Sequence, residues 1–60
     1  MYCEIIEHRN GFSSQIVDDE ADRVYADEVR VTSREACISR IIVRMGTRVQ
    51  IFDRIDPIQP

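Results

Sequence analysis

The chain has no Leu, no Lys and no Trp, one His, and only two each of Gly, Pro and Cys. Each scarcity closes off a kind of chemistry. Gly11 and Gly46 are isolated, so no glycine-rich loop is available to cradle a phosphate. The lone histidine, His8, has no orienting partner beside it in sequence and reads as a strand-end residue. Ser13-Ser14 likewise has no base next to it, which leaves nucleophilic catalysis without support. Cys3 and Cys37 lack C-x-x-C spacing, and Cys3 and His8 have opposite parity on one strand, so no zinc site is expected. The acidic run Asp18 to Asp22 has neither the spacing nor the distal Glu of a calcium loop. No apolar run exceeds three residues, as at Ile41 to Val43, far short of a membrane span. The start Met1-Tyr2-Cys3-Glu4 lacks the basic-then-apolar order of a signal peptide. The expectation is a cytoplasmic protein that is not an enzyme. It takes no metal, cofactor or small-molecule substrate and touches no membrane. In that compartment the two thiols are expected reduced and buried, with a Cys3–Cys37 bridge reserved for an oxidising setting.

What is present points to one small domain, residues 1–60, with the last few residues, 57–60, as a frayed tail. A chain of 60 residues buries only roughly 60% of its unfolded surface, so its core is thin. Apolar residues make up 43% and charged ones 32%, a globular balance. Nine Ile and six Val among the apolar residues tilt that balance toward sheet. The net charge of −3 is unevenly spread. Residues 1–29 carry eight acids against Arg9 and Arg23, whereas residues 30–60 carry six Arg against Glu35, Asp53 and Asp56. Either the two halves fold onto each other and neutralise, or the polarity steers a partner; the first reading is favoured.

Along the chain, Tyr2 to His8 alternates as a strand and meets Asn10-Gly11, a strong hairpin signal because both residues tolerate positive φ. A second strand runs Phe12 to Val17, with Phe12, Ser14 and Ile16 on one face. The cluster Asp18-Asp19-Glu20-Ala21-Asp22 reads as a solvated turn. Arg23 to Val31 is a third strand, interrupted around Ala26-Asp27-Glu28 by a bulge or bend. Thr32-Ser33-Arg34-Glu35 fits a capping box with Thr32 as the cap. Beyond it Cys37, Ile38, Ile41, Ile42 and Met45 share a helical face, with Arg34, Arg40 and Arg44 pointing away from it. Gly46 ends the helix. Lacking Leu, this helix has modest intrinsic propensity and depends on packing against a sheet. Thr47 to Ile55 is the last strand, stopped by Asp56-Pro57. The fold class is α+β: a single antiparallel or mixed sheet of about four strands, in the order β-β-β-α-β, with one helix on one face.

This order, carried by Asn10-Gly11-Phe12, Thr32-x-x-Glu35-Ala36 and Gly46, resembles a class of very small bacterial and phage domains of unknown function. Small phage-encoded inhibitors, anti-CRISPR proteins among them, are similar at the same coarse level: short, acidic, one sheet and one helix. The resemblance implies a fold and carries no site.

Two modes of action follow. The first is protein–protein contact, with a second copy of the chain (a homodimer) and an unidentified protein as partners. The sheet face opposite the helix would carry some combination of Tyr2, Ile6, Phe12, Tyr25 and Phe52, unless these fill the core instead. In a variant of this mode, the acids of the first half, Glu4, Glu7, Asp18, Asp19, Glu20, Asp22, Asp27 and Glu28, imitate nucleic-acid charge and enter a basic groove of a target, as a phage-type inhibitor or regulator would. The second mode is nucleic-acid binding through Arg34, Arg40, Arg44, Arg48 and Arg54, which the acidic pI near 4.9 and the absence of Lys disfavour.

Overall fold

The computed structural model describes residues 1–55; the expected tail at 57–60 lies outside them. Three strands come first: β1 (Tyr2–His8), β2 (Gly11–Asp18) and β3 (Arg23–Val31). Helix α1 (Arg34–Met45) and strand β4 (Ile51–Ile55) follow. The sheet is mixed, in the order β3-β2-β1-β4. β1/β2 and β2/β3 are antiparallel, and β4 lies parallel to β1. Helix α1 packs on β1, β2 and β3, so the sheet has one covered face and one open face.

The register settles which residues belong to which face. Cys3 stands opposite Ile16 and Ile5 opposite Ser14, while Ile51 sits beside Cys3 on the other flank. These residues, together with Phe12 and Val31, point toward the helix. Cys3, Ile5, Cys37 and Ile41 are the buried apolar centre, with Phe12, Ile16, Val31, Ile38, Met45, Val49 and Ile51 packed around it. Full burial of a side chain such as Ile5 or Ile41 contributes about 1.5–3 kcal/mol. Among the described residues four apolar ones reach that state, as expected of so short a chain. Ile42, expected within the apolar helix face, lies at its margin and is 38% exposed.

Three local expectations are corrected. The hairpin forms, but its two-residue loop is Arg9-Asn10, because His8 pairs with Gly11 as the first residue of β2. Gly11 alone takes a positive φ there, +135°, and a Cβ on it would lie 2.5 Å from the Val31 carbonyl oxygen. The glycine therefore serves a close approach between strands rather than the turn itself. The helix cap is Ser33, not Thr32. Ser33 has extended backbone, and its hydroxyl accepts the Ala36 amide at 3.2 Å. With the cap one residue later, Glu35 falls in the first turn, where its charge suits the helix dipole but cannot complete the box. The last strand spans only Ile51–Ile55 rather than 47–55, since Thr47 and Arg48 make the turn that leaves Gly46. Gly46 does close the helix, with φ +82° and its amide donating to the Ile42 carbonyl. The expected irregularity of β3 is present slightly later than placed. Phe12 faces Val31 but Ser14 faces Asp27, so extra residues of β3 bulge between Asp27 and Val31.

Candidate contact surface

The open face is read directly from the alternation of each strand. Tyr2, Val17 and Val24 form one row across β1, β2 and β3. Phe52 joins it from β4, its ring 5.4 Å from that of Tyr2 in an edge-to-face contact. Val24 is 57% exposed and Phe52 50%. The next row is polar and internally satisfied. The Gln15 amide donates to the Glu4 carboxylate at 2.7 Å, and the Arg54 guanidinium lies 3.6 Å from the same carboxylate. Ile6 follows, facing Ser13.

The aromatic candidates thus divide. Tyr2 and Phe52 lie together on the open face. Phe12 belongs to the core beneath the helix. Tyr25 stands opposite Ile16 and so points to the helix side, but on the edge strand, where it remains 46% exposed. Val17 and Val24 complete the open row and escaped sequence reasoning. Parity counted from a loop at Arg9-Asn10 would have placed Val17 beside Tyr2, and a four-residue turn over 19–22 would have placed Val24 beside Val17.

The acidic turn is built, not merely solvated. Asp18 accepts the Ala21 amide at 3.2 Å, and Asp22 takes a positive φ of 52°, which Asp tolerates. The Met1 ammonium sits 3.1 Å from Asp19 and holds that carboxyl below its usual range. Glu20 and Asp22 stay exposed.

The arginines do not gather into one surface. Arg34 binds both carboxylate oxygens of Asp53 on β4, at 2.7 and 3.0 Å. Arg40 binds both oxygens of Asp27 on β3, at 3.0 and 3.3 Å, and Arg44 adds a contact at 3.8 Å. Arg54 turns to Glu4 on the open face, and Arg48 is exposed in the turn before β4. Rather than pointing away from the sheet, the helix arginines reach past the apolar stripe and clamp its two outer strands. Bidentate pairing of this kind is geometrically selective. The Asp27 side chain is only 9% exposed, and Arg40 holds its carboxyl below the ordinary value. Arg40 and Arg44 on Asp27, and Arg54 on Glu4, join the two halves of the chain and support the favoured reading of the charge asymmetry, whereas Arg34–Asp53 lies within the second half.

Two further groups bear on chemistry. The His8 Nε2 lies 2.6 Å from the Ser13 Oγ, a pairing hidden in the sequence because it spans the hairpin. Ser13 is 9% exposed, and the contact satisfies a hydroxyl that burial would otherwise leave unpartnered. Cys3 and Cys37 are free thiols in the core, and burial pushes both pKa values up. A cleft of about 590 Å³ opens on the helix side, with Ile5, Phe12 and Ile55 on its walls and the Arg34–Asp53 pair at its rim. No helix among the described residues is long and apolar enough to cross a membrane.

Comparison with protein-family models, with curated proteins and with solved structures returns no match.

Proposed function

We propose that the protein works by contact with another protein, without catalysing a reaction, and that the open sheet face is its contact surface. The observation that carries this reading is the apolar row of Tyr2, Val17, Val24 and Phe52 on a face the helix does not cover. Aromatic side chains beside exposed aliphatic ones, with polar neighbours already paired, are the composition of an interface core. The built acidic turn supplies a second element, a fixed negative charge that directs the molecule toward a basic groove, as an inhibitor or regulator of a larger assembly in the cytoplasm requires. Nucleic-acid binding finds less support, because Arg34, Arg40, Arg44 and Arg54 are paired with carboxylates of their own chain.

Photo-crosslinking tests the reading. A benzophenone side chain at Val24 is expected to capture protein in the source cell's extract, and one at Val43, 85% exposed on the outer helix face, is not. Capture from Val43 alone, or from neither position, refutes it.

A further inference from the structure

We propose that β3 takes on a further strand along its outer edge, an extended segment of a partner protein. The segment runs antiparallel to β3 and carries an acidic residue, two adjacent apolar residues and a basic end, in that order. This rests on the reading of the protein as a contact module and adds the chemistry of the partner.

β3 forms one border of the sheet. Its alternate amides and carbonyls point away from β2. Among the described residues, no backbone–backbone bond outside the strand pairings reaches them. Another extended backbone matches such a row of donors and acceptors, and antiparallel addition is slightly the stronger kind. The pairing with β2 is regular over 23–27, and beyond Asp27 the strand bulges. The regular stretch contains neither Pro nor Lys. Asp27 is the inward-pointing charge that would discourage pairing there, but Arg40 takes both of its oxygens.

Two rows of the sheet stop at this border. Tyr2 and Val17 lead to Val24 on the open face, and Cys3 and Ile16 lead to Tyr25 on the helix side. Both end residues remain half-exposed, each with a cross-strand neighbour on one flank. An incoming strand continues both rows with apolar side chains at adjacent positions.

Charge sets the two ends. Arg44 lies 3.8 Å from the carboxylate that Arg40 already satisfies, so two guanidiniums share one acid. A carboxylate opposite Asp27 supplies the missing charge. At the other end Asp18, Asp19, Glu20 and Asp22 outnumber the Met1 ammonium and Arg23, which calls for a basic residue. A second copy of the chain offers the reverse order. Paired antiparallel about Tyr25, its Arg23 would come to Asp27 and the two arginines, and its Glu28 to Asp22.

The peptide acetyl-ETVVTKK-amide carries the pattern, with its acid set opposite Asp27 and its two valines opposite Tyr25 and Val24. It is titrated into the full isotope-labelled chain beside a charge-swapped form, KTVVTEE, and a proline form, ETPVTKK. Saturable binding is expected, with alternate amides over 23–27 gaining protection from hydrogen exchange. The swapped form should bind about tenfold more weakly, and the proline form should not bind. Tyr25→Asp, on the helix side, is expected to abolish binding with circular dichroism unchanged. Arg44→Gln should narrow the gap between the two charge forms, and Phe52→Glu, on the open face away from β3, should leave binding intact. Four results overturn the inference: no saturation at millimolar peptide, equal binding of the swapped form, perturbation confined to the open face, or self-association through β3 without peptide. If the peptide fails while a benzophenone at Val24 still captures protein, and Phe52→Glu abolishes that capture, the open-face reading stands without this one.

Discussion

Replacing Gly11 with Ala should be the most damaging single-methyl change in this chain, and Gly46 provides its internal control. Gly11 has φ +135°, a region other residues enter at a cost of about 1–3 kcal/mol. The new Cβ would also lie 2.5 Å from the Val31 carbonyl oxygen and 3.2 Å from Arg30 Cγ. The arginine side chain can move, but the carbonyl belongs to the neighbouring strand. Relief therefore requires β2 and β3 to separate locally, a disturbance comparable to overpacking at about 1–3 kcal/mol. Together these give about 2–6 kcal/mol, against a total stability of about 3–9 kcal/mol for a domain of this length. At Gly46, φ is +82° and nothing lies within 4 Å of an added Cβ. Only the backbone cost of about 1–3 kcal/mol applies there. Urea unfolding followed by circular dichroism separates the two. Gly46→Ala is expected to remain folded with a lower midpoint, and Gly11→Ala to lose clearly more or to be unfolded without urea. A midpoint for Gly11→Ala equal to or above that of Gly46→Ala would refute the assignment of this glycine to a strand contact.

Three further outcomes are expected. Asp27 has its folded pKa lowered, chiefly by Arg40, so its contribution to stability is complete above the unfolded value of about 3.9 and disappears as pH falls through the lower folded value. The stability difference between wild type and Asp27→Asn should accordingly shrink below about pH 4, and a constant difference down to pH 2 would argue against the clamp. Ser33→Ala should cost about 1 kcal/mol, with Thr32→Ala within about 0.5 kcal/mol of wild type; thermal unfolding of the two variants reports which residue caps the helix. A thiol-reactive chromogenic disulfide should find neither Cys3 nor Cys37 in the folded protein and both in urea, because burial both shields the thiols and opposes the thiolate.

The element order was legible because its signals are local. Period-two alternation in Tyr2 to His8, the Asn-Gly step, the hydroxyl before Arg34 and the glycine after Met45 each act over a few residues. What the sequence left open depends on pairing between distant segments. Whether Phe12 or Phe52 faces the helix depends on the register of strands 40 residues apart, and no local pattern reports it. The fate of the arginines was hidden in the same way. Arg34 and Asp53, like Arg40 and Asp27, meet only because the helix lies across the sheet with its first residue on the β4 side and its later turns on the β3 side. Thr32 and Ser33 are equally good capping residues, and the one whose backbone is extended where β3 ends takes the role. The Ser13–His8 contact needed only a correct hairpin loop to be found.

The position of β4 has a consequence for how the molecule comes apart. β1 is held on one side by its hairpin partner and on the other by a strand whose Ile51 pairs with Cys3, the longest chain closure in the sheet. Loop-closure entropy makes such a pairing late to form and early to open. A molecule that has released β4 keeps its three-stranded meander, but β1 is now an edge, with its outer amides and carbonyls unpaired. In the closed molecule β4, tethered through the turn after Gly46, is what covers that edge, so the shortest strand of the sheet is the one that keeps β1 from lying at its border.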